Sequence, residues 1–467
     1  MKRKFEITNE FEDICKAEFN QNSTNKAFLN TITSVGSYYS TIDYKKSREI
    51  SHIFINTLKK KHTRATNQHA TGRCWMFSGL NVFRHAVIDS FNLENFEFSE
   101  VYLYFYDRLE RCNTVLHKLM ELAEQQEPIK NSRLFDFLTS DDAFMSDGGY
   151  WNYFNNLVTK YGLIPLSAMP STYQSDSTAE LNTILNSILS SATSVLFSDT
   201  IPENFIEHTL KQIYKVLVLF LGEPPKKFDW SFTTETEERA CLFNLTPLKF
   251  YEMLMKFNSF VVMMHQPKLE LYKMYEVKHT SNLIEGENCV FLNVPIEEMQ
   301  KYTVKSINEG IPVWLAGDVT KGFDYVNGAL FGSFNENTDL IFGEPPRKLS
   351  KQERLLYSYQ HTNHAMTVVG YNQPENSPEK ISFQVENSWG YFDHEQPGLD
   401  GFLYADLQWF KEYCSIVVIH KSFLSRTILK KFDTEITFLE PWDLESAAGK
   451  VEKTRLSEAL RLKFLRK

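Results

Sequence analysis

Asn67-Gln68-His69-Ala70-Thr71-Gly72-Arg73-Cys74-Trp75-Met76-Phe77 is the stretch from which both the fold and the chemistry of this chain can be read. A Gln stands six residues before a Cys-Trp pair, with Thr71-Gly72-Arg73 as a turn between them. From Cys74 onward Phe77, Leu80, Phe83 and Val87 recur at spacings of three and four, which predicts a half-buried helix beginning at the cysteine. A thiol at a helix N-terminus is expected to have a lowered pKa, because the free N–H groups and the macrodipole favour the thiolate. The same geometry leaves the Cys74 N–H free to point at an oxyanion, and the Gln68 side-chain amide can be a second donor. Losing one such donor typically costs about 3 kcal/mol of transition-state stabilisation.

A cysteine nucleophile needs a base, and the base needs an orienting partner. Of twelve histidines, His364 is the candidate, because Asn363-His364-Ala365-Met366-Thr367-Val368-Val369 places it at the entry to an apolar strand. Asn387 follows in Val385-Glu386-Asn387-Ser388-Trp389-Gly390. A neutral amide there can accept from the imidazole ring and fix its orientation, and Trp389 can shield that bond from water. Alone, Cys74 would be a buried core thiol, Gln68 a surface residue, Asn387 a turn residue and Trp389 a core aromatic. Their order is what raises them to a site.

Composition bounds the rest. The 467 residues suffice for two or three domains, and the 37 Phe and 22 Tyr argue for aromatic packing and against disorder. A net charge of −9 does not suggest a nucleic-acid binder. No apolar run follows Met1-Lys2-Arg3-Lys4, so no signal peptide is expected, and no apolar stretch is long enough to span a bilayer. Cys15, Cys74, Cys112, Cys241, Cys289 and Cys414 are scattered without a CxxC pair, which favours reduced thiols and a cytoplasmic location.

Along the chain, five segments are expected. Residues 1–60 form a mostly helical N-terminal segment packing on the core. Residues 61–170 are a helical lobe carrying the nucleophile, with further helices near 99–122 and 151–160. Residues 171–260 are a helical insertion, with helices around 179–192 and 202–221. Residues 261–449 are a β-rich lobe with short apolar strands at 259–264, 289–294, 311–317, 365–371, 381–386 and 416–420. Residues 450–467 are a basic extension. Helices first and strands later make the class α+β. Gly222-Glu223-Pro224-Pro225 and Gly343-Glu344-Pro345-Pro346 are read as two Pro-rich turns.

Gln-x5-Cys-Trp, Asn-His-Ala and Glu-Asn-Ser-Trp-Gly, in that order, resemble the papain-like cysteine peptidases. Cys74 and His364 lie 290 positions apart, against roughly 130–150 in the usual members, and Thr71 stands where a disulfide cysteine is expected. Both departures resemble the bleomycin hydrolase and aminopeptidase C branch, as do the Gly-Glu-Pro-Pro-Lys-Lys-Phe string and Pro441-Trp442-Asp443. The resemblance spans most of residues 1–449. It implies a papain-like core of helical and β-rich lobes with a helical insertion and a small extra subdomain. It further implies a homohexameric ring with sites facing an internal channel, and a broad-specificity aminopeptidase acting on peptides without metal or other cofactor. Catalysis would fall to Cys74, His364, Asn387 and Gln68. Gly148 and Gly149, after Asp147, would pair with an extended substrate, and Trp389 would line the site. Some relatives bind nucleic acid, which the charge here does not favour.

The tail departs from that pattern. The branch stops soon after Pro-Trp-Asp, with the terminal carboxylate in the cleft. Here residues 450–467 continue with seven Lys/Arg and two Glu, and with Leu456, Leu460 and Phe464 at helical spacing. Three readings stay open: a tail that leaves the cleft and permits endopeptidase cleavage, a tail trimmed by the enzyme itself, and a cloning remnant. A nucleic-acid-binding ring with secondary hydrolase activity and an acyl transferase using an amine acceptor are the rival functions. His361 and His364 form an HxxH without carboxylate support, so no metal site is expected.

Overall fold

The computed structural model describes residues 5–59, 64–126, 129, 132–139, 144–254, 259–333, 338–345, 347–357, 359–377, 380–390 and 400–444. The basic extension at 450–467 lies outside them. Residues 1–50 and 333–349 form one compact unit, and the remaining chain forms the second. The first unit is built on helices Asn9–Gln21 and Ser23–Val35, separated by Asn22, whose side chain accepts from the Thr24 N–H and starts the second helix.

The second unit carries the site. Its frame is a mixed, mostly antiparallel sheet in which Phe260–Met264, Cys414–His420, Val313–Gly317, His364–Asn372, Ser382–Glu386 and Phe402–Asp406 lie side by side. These strands read as unbroken apolar runs because both faces are buried. Trp314, Ala316, Ala365, Ile416 and Val418 point into the core shared with the helices. Val313, Leu315, Met366, Val417 and Ile419, one residue out of phase, pack into a second core containing Met299, Tyr302 and Ile307 of helix Ile296–Asn308.

Helix Cys74–Phe91 lies in the first core. A half-buried helix was expected, but every residue from Cys74 to Ile88 is buried. The sheet covers one side and helices Glu100–Glu124 and Trp151–Tyr161 the other. Ser78, Asn81 and Arg84 of this helix find partners inside the protein. Ser78 Oγ donates to Met366 O (2.7 Å), Asn81 Nδ2 to Thr66 Oγ1 (3.1 Å), and Arg84 pairs with Glu386.

Residues 171–260 hold the expected helices at Ala179–Leu196 and Phe205–Leu221. The second ends at Gly222, whose φ of +86° favours glycine. They also hold a hairpin, Phe228–Thr233 with Arg239–Leu245, where only helices were expected. Trp230 anchors it, with ring centroids 5.0 Å from Phe91, 5.5 Å from Phe96 and 5.3 Å from Phe250. Among the described residues no helix is long and apolar enough to cross a membrane.

Candidate active site

Two short segments run antiparallel and bring distant parts of the sequence together. Gln68 N–H donates to Ser388 O (2.8 Å), Gly390 N–H to Thr66 O (2.9 Å), and Asn67 faces Trp389. This ladder sets Gln68 beside Asn387-Ser388-Trp389. Ser388 Oγ donates to Gln68 Oε1 (2.5 Å), and Gln68 Nε2 donates to Thr71 O (2.6 Å). A carbonyl only accepts, so the amide orientation is fixed with its NH₂ toward the Cys74 loop. One amide hydrogen is taken by Thr71 and the other remains for an acceptor in the site. Thr71 Oγ1 in turn donates to Gln68 O (2.5 Å), so a hydrogen bond closes the loop at the position that was read as replacing a disulfide cysteine.

Cys74 opens its helix. The first intrahelical bonds are Met76 and Phe77 N–H to Arg73 O, at 2.9 and 3.1 Å, so the amides of Cys74 and Trp75 are spare. Both reach the Cys74 sulfur, and so does the amide of Ala365. The Ala365 contact sets the thiol against the first residues of the His364 strand. Ser78 Oγ bonded to Met366 O and Trp314 Nε1 bonded to Trp75 O (3.1 Å) lock helix and sheet in that register.

His364 is buried at the start of its strand. Its Nε2 meets Asn387 Oδ1 at 2.7 Å, so the ring donates there. Its Nδ1 is buried and has no hydrogen-bond partner among the described residues. The Trp389 indole lies over the ring at 4.8 Å between centroids, tilted by 34°. Asn387 Oδ1 also accepts from the Ser388 N–H (2.8 Å), which holds the amide in place.

Burial and the surrounding hydrogen bonds act on the two groups in opposite directions. Burial pushes the Cys74 thiol up to about 12, against the pull of the Ala365, Trp75 and Cys74 amides. Burial pushes the His364 imidazole down to about 4, against the Asn387 hydrogen bond. Burial therefore opposes the lone thiolate and the lone imidazolium alike. The helix N-terminus does act on the sulfur in the expected direction, but desolvation is the larger effect.

Asp147 is the residue that sequence reading passed over. Its Oδ2 accepts from the Gly72 N–H (3.0 Å) and from Thr178 Oγ1 (2.5 Å), and its carbonyl accepts from Trp75 Nε1 (2.8 Å). Burial alone would raise its carboxyl, but Arg108, the Gly72 amide, Thr178 and Asn182 together hold it at about 2. An Asp before two glycines gives no signal that it will brace a loop 75 residues upstream. The glycines themselves are buried. Gly148 O accepts from Arg111 Nη1 (2.9 Å), and a Cβ on Gly149 would sit 2.5 Å from the Trp75 indole. Arg73 is also buried, its guanidinium 4.7 Å from the Tyr104 ring and 5.4 Å from the Phe77 ring.

No cluster of His, Cys, Asp or Glu suited to a metal ion occurs among the described residues. His361 is exposed, apart from the buried His364.

Comparison with known proteins agrees with this architecture. The profile described as the Peptidase C1-like family matches residues 6–445. Bleomycin hydrolase of Mus musculus is 32% identical over 414 residues, covering 84% of this chain and 88% of that protein. Aminopeptidase C of Listeria monocytogenes is 33% identical over 395 residues, covering 81% and 85%. Aminopeptidase E of Lactobacillus helveticus is 30% identical over 436 residues, covering 91% and 96%. The crystal structure of PepW from Lactobacillus rhamnosis superposes with a TM-score of 0.85 at 28% identity, covering 94% of this chain and 98% of that one.

Proposed function

Because this chain belongs to the Peptidase C1-like family, we propose that Cys74 is the nucleophile of its peptide-bond hydrolysis, with His364 as base and acid. The protein is a cysteine aminopeptidase of papain-like fold. One observation carries the residue assignment. Buried His364 commits Nε2 to Asn387 and leaves Nδ1 unpartnered, on the strand whose next amide reaches the Cys74 sulfur.

Sulfur attacks the substrate carbonyl carbon as its proton passes to His364 Nδ1. The carbonyl π pair moves onto oxygen, where the spare Gln68 N–H and the Cys74 N–H meet it. Asn387 accepts from the imidazolium and stabilises it without a counter-charge. The tetrahedral intermediate collapses, the C–N bond breaks, and Nδ1 returns the proton to the departing amine. His364 then takes a proton from water, whose oxygen attacks the thioester and frees the acid and the thiol. Desolvation raises both single ions, so charge is best formed as a pair within the transition state rather than stored at rest. Gly148 and Gly149 are proposed to lie along the extended substrate, with Trp389 covering His364 from water. No metal or cofactor has a step in this sequence.

We also propose a broad side-chain tolerance, a homohexamer and a cytoplasmic location, as the resemblance implies. Nucleic acid is not proposed as a partner. The test is Cys74→Ala assayed on aminoacyl arylamides. Turnover falling to the uncatalysed level supports the assignment, and retained hydrolysis refutes it.

A further inference from the structure

The Gln68–Ser388 ladder has a second side. Thr66, Asn67 and Gly390, its outer residues, line a groove of about 980 Å³ that contains none of the Asp147–Gly149 loop. The groove thus reaches the ladder through Asn67 and Gly390, the chain neighbours of Gln68 and Trp389. Its far wall is rigid. Ser99 N–H donates to Ile164 O (3.0 Å) and Leu166 N–H to Glu97 O (2.9 Å), which ties residues 97–99 to 164–166.

That wall has a defined chemistry. Phe96 and Trp230, edge to face at 5.5 Å, form an aromatic side. Glu97 and Glu100 form an acidic end. Glu100 Oε1 accepts only from the Ser171 hydroxyl (3.1 Å) among the hydrogen bonds described, and no ion pair to either carboxylate is present among the described residues. Arg84, the cation beneath them, is already paired with Glu386. Arg64 and His69 also line the groove, and His69 lies 3.9 Å from Asp176. Burial and Glu100 push the Glu97 carboxyl up against the pull of Arg84. An aromatic side leading to two carboxylates suits a side chain with an aliphatic stem and a cationic head.

We infer that this groove receives the part of the peptide that follows the scissile bond, and that Glu97 and Glu100 select a lysine or arginine side chain there. The inference rests on the peptidase reading above.

The experiment uses the full-length wild-type protein and two series of tetrapeptide amides with N-terminal Ala. In one series Lys, and in the other Glu, is placed at position two, three or four of an otherwise Gly background. Initial release of Ala is measured. At one position the Lys peptide is expected to exceed the Glu peptide by about tenfold in kcat/KM, mostly through KM. In Glu97→Gln/Glu100→Gln the Lys:Glu ratio, taken within the variant, is expected to fall to about two or less, and in Glu97→Lys to invert. Ratios near one at all three positions in the wild type overturn the inference. A wild-type ratio that the variants leave intact also overturns it. If the ratios are near one and Glu97→Lys changes the sedimentation coefficient, the groove is a subunit contact and the inference is likewise overturned. Wild-type turnover of alanyl arylamide, which carries no residue beyond the scissile bond, separates the cases. Its absence refutes the peptidase reading, whereas its presence with flat ratios refutes only the groove.

Discussion

The Arg84–Glu386 pair offers a quantitative test of how nucleophile helix and sheet are held in register. Arg84 is 0% and Glu386 1% exposed, and they are joined by one hydrogen bond. Arg84 Nε and Nη1 and Glu386 Oε2 find no other partner among the described residues. Removing one partner strands a charge in the core and typically costs about 3–5 kcal/mol, whereas replacing both by apolar residues of similar volume is near neutral. Glu386→Leu should therefore lower stability by about 3–5 kcal/mol, because Arg84 cannot discharge. Arg84→Met should behave differently with pH. Burial already pushes the Glu386 carboxyl up against the pull of Arg84, and without Arg84 it rises further. The folded state then holds a proton that the unfolded state releases, so stability falls as pH rises between the unfolded and folded values, by about 1.4 kcal/mol per unit. The full deficit is present above the folded value, so Arg84→Met should lose less at pH 5 than at pH 8. Arg84→Met/Glu386→Leu should recover most of the loss. The assay is urea unfolding of wild type, both single variants and the double, at both pH values, with equal slopes confirming comparable transitions. Because Glu386 precedes Asn387, kcat should fall in the single variants and return in the double. Singles within about 1 kcal/mol of wild type, or a double as destabilised as the sum of the singles, would refute the reasoning.

Gln68→Ala should lower kcat by roughly 100- to 1,000-fold with a smaller change in KM, and Ser388→Ala, which frees the Gln68 amide to turn, should show part of that loss in steady-state kinetics. The acid limb of kcat/KM should lie below the ordinary imidazole range, since burial lowers His364; Asn387→Ala should shift it lower still, read from a pH–rate profile between pH 3.5 and 8. Gly149→Ala forces a methyl to 2.5 Å from the Trp75 indole and should lower both thermal stability and kcat, measured by melting and arylamide turnover.

The candidate site could be read from the sequence because acyl-transfer chemistry calls for particular residue types, a thiol, an imidazole and amides. The helix and strand periods put Cys74 at a helix start and His364 at a strand entry, where the structure has them, whereas Gln68 and Asn387 lie outside helices and strands. What stayed hidden depended on long-range packing. The hairpin at Phe228–Thr233 and Arg239–Leu245 alternates properly through Phe228, Trp230 and Phe232. Its turn, Thr234-Glu235-Thr236-Glu237-Glu238, lacks the Asn-Gly signal, and Glu237 takes a φ of +63° instead. Helix Ile296–Asn308 carries Ile296, Met299, Tyr302 and Ile307 on one side, a period masked by the apolar strand directly before it. The buried Arg84, the bracing Asp147 and the desolvation of Cys74 and His364 all follow from burial. Burial is set by which surfaces meet across hundreds of residues, and local sequence does not record it.

The most direct test of Cys74 as nucleophile is acid quenching during turnover of an alanyl ester, followed by intact-mass analysis and peptide mapping. The account predicts one alanyl group per chain, on the peptide containing Cys74, and none in Cys74→Ala. An alanyl group on another residue, such as the exposed Cys15, with Cys74 unmodified would contradict it.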